Sequence, residues 1–325
     1  MTDSRVVTLF EHIDELTKLI EQHTEDPYLD SLTTALEFVF YGESQSLTND
    51  ILAAQLHKQL QASELSAYSV MERRKAIQLA LLKGMKENTQ QHVLTPETVA
   101  LFVSYLANKF IKGKEKVSIF DPASGTGNLL LTVIEQLDKD VLAFASEVDQ
   151  TLIKLSVMNA NVQEKEVEFF HQDSLRPFLL DPVDLVVTDL PVGYYPDDVQ
   201  ANEYELKAVE GHSYAHHLFI EQSLTYTKEG GYLLFLVPEF IFDSDQSEHL
   251  HSFIQKHAHI VGLIQLPETA FKEKKNMKSI LVLQKKSETS ENVKQPLLAQ
   301  LPSFNNTNAM EDILTKINAW FDDYL

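Results

Sequence analysis

The sequence predicts an α/β fold: a mainly parallel sheet of seven strands with an antiparallel edge pair, preceded by a helical N-terminal domain. Three observations predict it. From Val117 onward, short apolar, β-branched runs alternate with helical stretches, and such alternation implies parallel strands covered by helices on both faces. The last two runs have only a loop between them, which suits antiparallel neighbours. The first part of the chain carries apolar residues at three- and four-residue spacing instead, the period of a helix with one buried face.

The helical pattern runs from Val7 to about Glu87. It is carried first by Leu9, Phe10, Ile13, Leu16, Leu19 and Ile20, then by Leu32, Ala35, Leu36, Val39 and Phe40. Turn formers at Asp26-Pro27 and Tyr41-Gly42-Glu43-Ser44 punctuate it. Leu47-Thr48-Asn49-Asp50 supplies capping residues for a helix starting near Ile51. Four or five helices are expected in a domain over residues 1–92.

The second domain, residues 93–325, opens with a helix that follows Leu94-Thr95-Pro96-Glu97 and ends near Phe110. Strands are expected at Val117 to Phe120, Val141 to Ser146, Val167 to Phe170, Leu185 to Thr188, Tyr232 to Val237, Ile260 to Leu266 and Ile280 to Leu283. From Ser287 to about Asn308 the chain reads as polar, and a short amphipathic helix then ends at Leu325.

Composition excludes some classes of function. Hydrophobic residues are 44% of the chain, near the globular average, and no window approaches the roughly 18 consecutive apolar residues of a membrane span. No membrane partner is expected. Met1-Thr2-Asp3-Ser4-Arg5 does not look like a secretory signal, and the absence of Cys leaves no disulfide framework or thiolate metal site. A cytoplasmic location is the simplest expectation. The net charge of −21 opposes nucleic-acid binding, which draws its affinity from Lys and Arg displacing counterions. The run Lys272-Glu273-Lys274-Lys275-Asn276-Met277-Lys278 is either a local basic face or a solvated loop between strands. Nothing in the sequence sets the oligomeric state.

The first strand leads into Asp121-Pro122-Ala123-Ser124-Gly125-Thr126-Gly127-Asn128-Leu129. Gly125 and Gly127 lie in the turn that opens a helix near Asn128, where the missing side chains let backbone N–H groups approach a ligand. A dinucleotide turn would carry a third Gly at position 130, which is Leu130, and a phosphate loop would need Gly-Lys-Ser/Thr. Asp121 instead sets a carboxylate at the strand tip, suited to an ammonium group. Glu147 ends the second strand, where it can accept two ribose hydroxyls, and Asp173 follows the third, where it can receive an adenine amino group. Three acidic groups on the carboxyl-end rim of three successive strands match S-adenosylmethionine (SAM).

These residues resemble the DNA adenine-N6 methyltransferases, in particular the modification subunits of type I restriction systems and the stand-alone YtxK-like proteins of bacteria. The resemblance covers most of the chain. His92-Val93-Leu94-Thr95-Pro96 is similar to the family's segment that closes over the cofactor, and Gly230-Gly231-Tyr232 through Val237-Pro238-Glu239 to its fifth-strand region. Gly262-Leu263-Ile264-Gln265-Leu266-Pro267 through Phe271 is similar to its sixth strand and following loop. The resemblance implies a seven-stranded, Rossmann-like SAM methyltransferase sheet. It also implies a cofactor site formed by Thr95, Pro96, Asp121, Pro122, Ala123, Gly125, Thr126, Gly127, Asn128, Leu129, Glu147, Val148, Asp173 and Ser174.

The family's catalytic motif is Asn or Asp, then Pro-Pro, then Tyr or Phe; here it reads Asp189-Leu190-Pro191-Val192. The resemblance gives the Asp189 side chain and the Leu190 carbonyl the task of accepting the target amino group, with Pro191 completing the motif. Val192 replaces the aromatic that stacks on a flipped base, and Tyr194 and Tyr195 just beyond it are the candidate substitutes. Stacking contributes roughly 1–3 kcal/mol per base, so the change bears on substrate capture more than on the transfer itself. No stretch from Gly193 to Leu325 is long enough for a separate target-recognition domain. His216-His217 reads as ordinary helix residues, because neighbours on a helix point apart and no third metal ligand is evident.

The leading expectation is a SAM-dependent methyltransferase acting on an exocyclic amino nitrogen, with DNA or RNA as a candidate substrate. The alternative is a SAM-binding or interaction protein with a degraded catalytic motif. RNA, a protein glutamine or a small amine stays open as the acceptor.

Overall fold

The computed structural model describes residues 2–44, 47, 49–60, 65–87, 94–177, 179–271, 273–288, 290 and 293–324. The chain begins with α1 (Thr2–Thr24), α2 (Tyr28–Tyr41), α3 (Asp50–Leu60) and α4 (Val70–Glu87), and α5 (Glu97–Phe110) leads into the sheet. The helical period is set by burial: Leu9, Ile13, Leu16 and Ile20 point inward from α1, and Leu32, Ala35 and Leu36 from α2. Turn chemistry sets the ends. Gly42, at φ +77°, donates its N–H to the Phe38 carbonyl and closes α2. Asn49 caps α3 by accepting the N–H groups of Ile51 and Leu52.

The alternating part contains β1 (Lys116–Asp121), α6 (Asn128–Gln136), β2 (Asp140–Glu147), α7 (Gln150–Val162), β3 (Glu168–His171) and β4 (Val183–Asp189). The short α8 (Asp198–Ala201), α9 (Ala215–Thr225), β5 (Thr227–Pro238), α10 (Ser247–His257), β6 (Ala258–Gln265) and β7 (Lys278–Lys285) follow. β8 (Leu297–Gln300) and α11 (Thr307–Tyr324) complete the described chain. The strand order is β3-β2-β1-β4-β5-β7-β6-β8. β7 runs antiparallel to both β5 and β6, and the other pairings are parallel.

The sheet differs from expectation at one edge: it has eight strands among the described residues, not seven. β6 and β7 pair antiparallel as their short connection implies, yet β7 lies inside the sheet and β8 takes the edge, parallel to β6. β8 comes from the stretch that reads as polar. Only Leu297 of its four residues is buried, which is too short an alternation to register as a strand. Gly262 makes the pairing close: a Cβ there would come within 3.0 Å of the Leu297 carbonyl oxygen.

Central strands are buried on both faces, as β4 shows with every residue from Val183 to Thr188 inside. One core lies between the sheet and α5, α6 and α11; it includes Val103, Ile119, Val187, Ile280 and Phe321. The other lies under α9 and α10 and includes Phe120, Val186, Leu218, Phe235 and Ile254. The helical region packs on the outer face of α7, where Leu155, Met158 and Val162 join Leu9, Ile13, Leu32 and Leu81 in one cluster.

Polar contacts reinforce that junction. Buried Arg74 donates to the Thr132 hydroxyl at 2.9 Å and pairs with Glu97 at 3.3 Å, and the Gln78 amide donates to Asn128 Oδ1 at 2.8 Å. Among the described residues no helix is long and apolar enough to cross a membrane.

Candidate active site

The strand order sets the carboxyl ends of β3, β2, β1 and β4 side by side, the edge at which open α/β sheets hold ligands. Asp173, Glu147, Asp121 and Asp189 stand at or just past those four ends. The structure thus brings the three predicted cofactor carboxylates together with the predicted catalytic one.

Asp121 is almost completely buried, and its Oδ1 accepts the Ala123 N–H at 3.1 Å. Burial, reinforced by the charges of Asp189 and Glu147, pushes its carboxyl up to about 7. Contacts with Thr188 and Ala123 offset part of that rise. A site that disfavours its own carboxylate gains when a cation arrives.

The turn after Asp121 depends on two left-handed glycines, Gly125 at φ +53° and Gly127 at φ +76°. They act differently. A Cβ on Gly125 would meet open space, whereas a Cβ on Gly127 would come within 2.5 Å of the Ser156 hydroxyl. Gly127→Ala combines that overlap with an unfavourable φ and should cost about 2 kcal/mol or more. The check is a thermal melt, in which Gly125→Ala should be the milder change.

Glu147 is fixed by backbone: its Oε2 accepts Gly125 N–H and its Oε1 accepts those of Val148 and Asp149, all at 2.9 Å. An ionised carboxylate has about four lone-pair positions, so acceptor capacity remains. The hydroxyls of Ser124 and Thr126 are buried without a hydrogen-bond partner among the described residues, a costly state that a polar ligand would relieve. Pro122 is joined to the third strand's loop by its carbonyl, which accepts the Ser174 hydroxyl at 2.6 Å. Leu129 is buried in the core, while Val148 offers an exposed apolar surface beside Glu147.

Asn128 links the turn to two other parts of the chain. Its amide donates to the Thr95 carbonyl at 2.8 Å while its Oδ1 accepts Gln78. Thr95, one residue before the Pro96 that precedes α5, turns its hydroxyl onto Asp189 Oδ2 at 2.8 Å. Residues His92 and Val93 of the same segment, and Lys272 of the basic run, lie outside the described residues.

Asp189 ends β4, and the Leu190 N–H is tied to the Leu236 carbonyl at 3.1 Å. That bond holds the start of the motif against β5. Pro191 and Val192 are exposed beyond it. The second oxygen of Asp189, Oδ1, receives the Lys278 ammonium from the start of β7. Tyr194 and Tyr195 take different positions. Tyr195 is buried and donates its hydroxyl to Asp173 Oδ2 at 2.5 Å, while Asp173 Oδ1 accepts the Leu175 N–H. Burial and the Asp173 carboxylate push the Tyr195 phenol far above its usual range. Tyr194 is 59% exposed and stacks on Tyr214, with ring centroids 4.9 Å apart and planes inclined by 15°. The exposed ring beyond the motif is therefore Tyr194.

Sequence reasoning misses Tyr214 and the role of Lys278. Lys278 is visible only as the last residue of a basic run, and that run divides in the structure: Lys274 pairs with Glu268 at 3.2 Å, and Lys278 turns inward. Tyr214 has no signal beyond its place before the His pair. His216 and His217 are buried, with ring nitrogens that lack hydrogen-bond partners among the described residues. Burial lowers them to about 3 and about 4, so both are neutral at physiological pH. Among the described residues no group of three metal-ligating side chains comes together.

Comparison with known proteins identifies the family. The N-6 DNA methylase family matches residues 80–318, well over half of the chain. This chain belongs to that family. Residues 7–85 match the YtxK N-terminal helical domain, and the two matches overlap over residues 80–85. The Bacillus subtilis (strain 168) protein YtxK, itself uncharacterized, is 46% identical over 327 residues, covering 99% of each chain. A crystal structure of lmo1582 from Listeria monocytogenes, assigned to the class I SAM-dependent methyltransferases, is 42% identical with a TM-score of 0.92. It covers 98% of this chain and 99% of its own. The methyltransferase subunit of a Streptococcus thermophilus type I restriction-modification system shares the fold at 14% identity and a TM-score of 0.64. That match covers 97% of this methylase-family chain and 73% of the other.

Proposed function

We propose that this protein is a SAM-dependent methyltransferase that acts on an exocyclic amino nitrogen. The observation that carries the reading is the row of carboxylates Asp173, Glu147, Asp121 and Asp189 along the ends of four adjacent strands, with the glycine turn among them. SAM fits the site chemically: Asp121 offers a buried carboxyl for the ammonium, Glu147 keeps about one of its four lone-pair positions for a ribose hydroxyl, and Ser124 and Thr126 are unpartnered among the described residues. Thr95, Pro96, Pro122, Ala123, Gly125, Gly127, Asn128, Leu129, Val148 and Ser174 complete the holding set. Asp173 receives the adenine end with Tyr195 on its far oxygen.

SAM supplies an electrophilic methyl group. The protein's part is positioning. Asp189 and the Leu190 carbonyl accept the two N–H bonds of the amine and turn its lone pair toward the methyl carbon. Asp189 would stabilise the positive charge that develops on nitrogen as it takes the methyl group, and the surplus proton on nitrogen would then pass to solvent. Pro191 stiffens the backbone of the motif. Tyr194, backed by Tyr214, supplies the stacking surface for a planar substrate that Val192 lacks.

A nucleic acid is the substrate class best matched to a stacking ring beside an amine site, while the net charge of −21 argues for a local approach surface or an unpaired strand. The working division is residues 1–92 as helical domain and 93–325 as methyltransferase domain, in a cytoplasmic protein. The second reading, a SAM-binding protein without transfer, draws on one observation: both Asp189 oxygens already have partners, Thr95 and Lys278. Tritium transfer from labelled SAM to cellular DNA, RNA and small molecules separates the two. Label transfer above that of Asp189→Ala supports the enzyme; SAM binding with no label in any pool supports the second reading, and no binding removes both.

A further inference from the structure

We propose that Lys278 makes the site discriminate between SAM and its demethylated product, S-adenosylhomocysteine, by repelling the positive charge that only SAM carries at sulfur. The inference rests on the reading of the site as a SAM site.

Lys278 begins β7, the strand that runs antiparallel to β5. Its ammonium meets Asp189 Oδ1, while Thr95 holds Oδ2 from the other side. Both members of the ion pair are largely covered, with side-chain exposures of 17% and 18%. The contact joins residues 89 positions apart and sets a fixed cation on the carboxylate that closes the acceptor side of the site.

An amine that reaches both Asp189 and the methyl group brings the sulfonium into the neighbourhood of the same carboxylate. Two cations then share one anion. After transfer the sulfur is a neutral thioether, and the repulsion from Lys278 is gone. The adenosine and the amino-acid end are common to both ligands, so whatever Lys278 does for those parts cancels when the two affinities are compared.

At the effective dielectric of a partly covered site, removing such a like charge is worth about tenfold in binding after solvent screening. Calorimetric titration of the full-length chain with each ligand tests this. Lys278→Met keeps much of the aliphatic stem and removes the charge, and should improve SAM affinity relative to S-adenosylhomocysteine by about tenfold. Lys278→Arg keeps the charge and should leave the ratio near that of the unaltered protein. Should the Met variant fail to fold, Lys278→Gln provides the same comparison.

An unchanged ratio in a folded, uncharged variant overturns the inference, because a purely structural role for Lys278 would move both affinities together. If the unaltered protein binds both ligands, the SAM reading stands even when the ratio fails to change. If it binds neither, that reading falls and the inference falls with it.

Discussion

Asp121→Asn should raise the melting temperature of the free protein at pH 8 by several degrees while abolishing SAM binding. The free protein holds this carboxyl at about 7, chiefly because the group is buried, whereas an unfolded chain ionises it near 4. Its contribution to stability is fully present below about pH 4 and is lost as pH rises through 7. At pH 8 the buried charge costs on the order of a few kcal/mol, and Asn removes that cost while keeping an oxygen for the Ala123 N–H. The gain in melting temperature should therefore shrink as the pH is lowered to 5. An equal gain at both pH values would show that charge is not its cause, and retained SAM affinity would remove Asp121 from the cofactor site. SAM affinity of the unaltered protein should also increase from pH 6 to pH 8, as the carboxylate becomes available to the ammonium.

Asp189→Ala should reduce methyl transfer by about a hundredfold to a thousandfold, with a smaller loss of SAM affinity of about tenfold because Lys278 is left without the carboxylate that offsets its charge. The substitution removes the acceptor for the amine and leaves Lys278 without its partner, so a modest loss of stability accompanies it. Asp189→Asn retains an acceptor oxygen and should keep more activity than the Ala variant. Single-turnover transfer with SAM in excess isolates the chemical step. Full activity in the Ala variant would exclude Asp189 from it, and equal loss of SAM binding and transfer would move Asp189 into the cofactor set.

The strand tips are legible in the sequence because each depends on local pattern. Asp121, Glu147 and Asp189 end apolar runs whose direction the intervening helices dictate, and a parallel sheet then aligns their ends. Gly125 and Gly127 are readable for the same reason, since their backbone angles are a property of the turn. Contacts between distant segments are not readable. The Thr95 and Lys278 bonds to Asp189 span 94 and 89 residues, and no spacing rule reaches that far. β8 escapes detection because a four-residue edge strand with one buried side chain has too little alternation to betray it.

The cluster that joins α1, α2 and α4 to α7 bears on how such a protein could be assembled from parts. Leu155, Met158 and Val162 complete a core whose other members come from the helical region, and Arg74 and Gln78 finish the polar contacts of Thr132 and Asn128. The boundary that a designer would cut is therefore a wall shared by two rooms. A helical module transplanted from another protein would have to reproduce the outer surface of α7 as well as its own interior, and a sheet stripped of the module would present that surface to water as a sticky face.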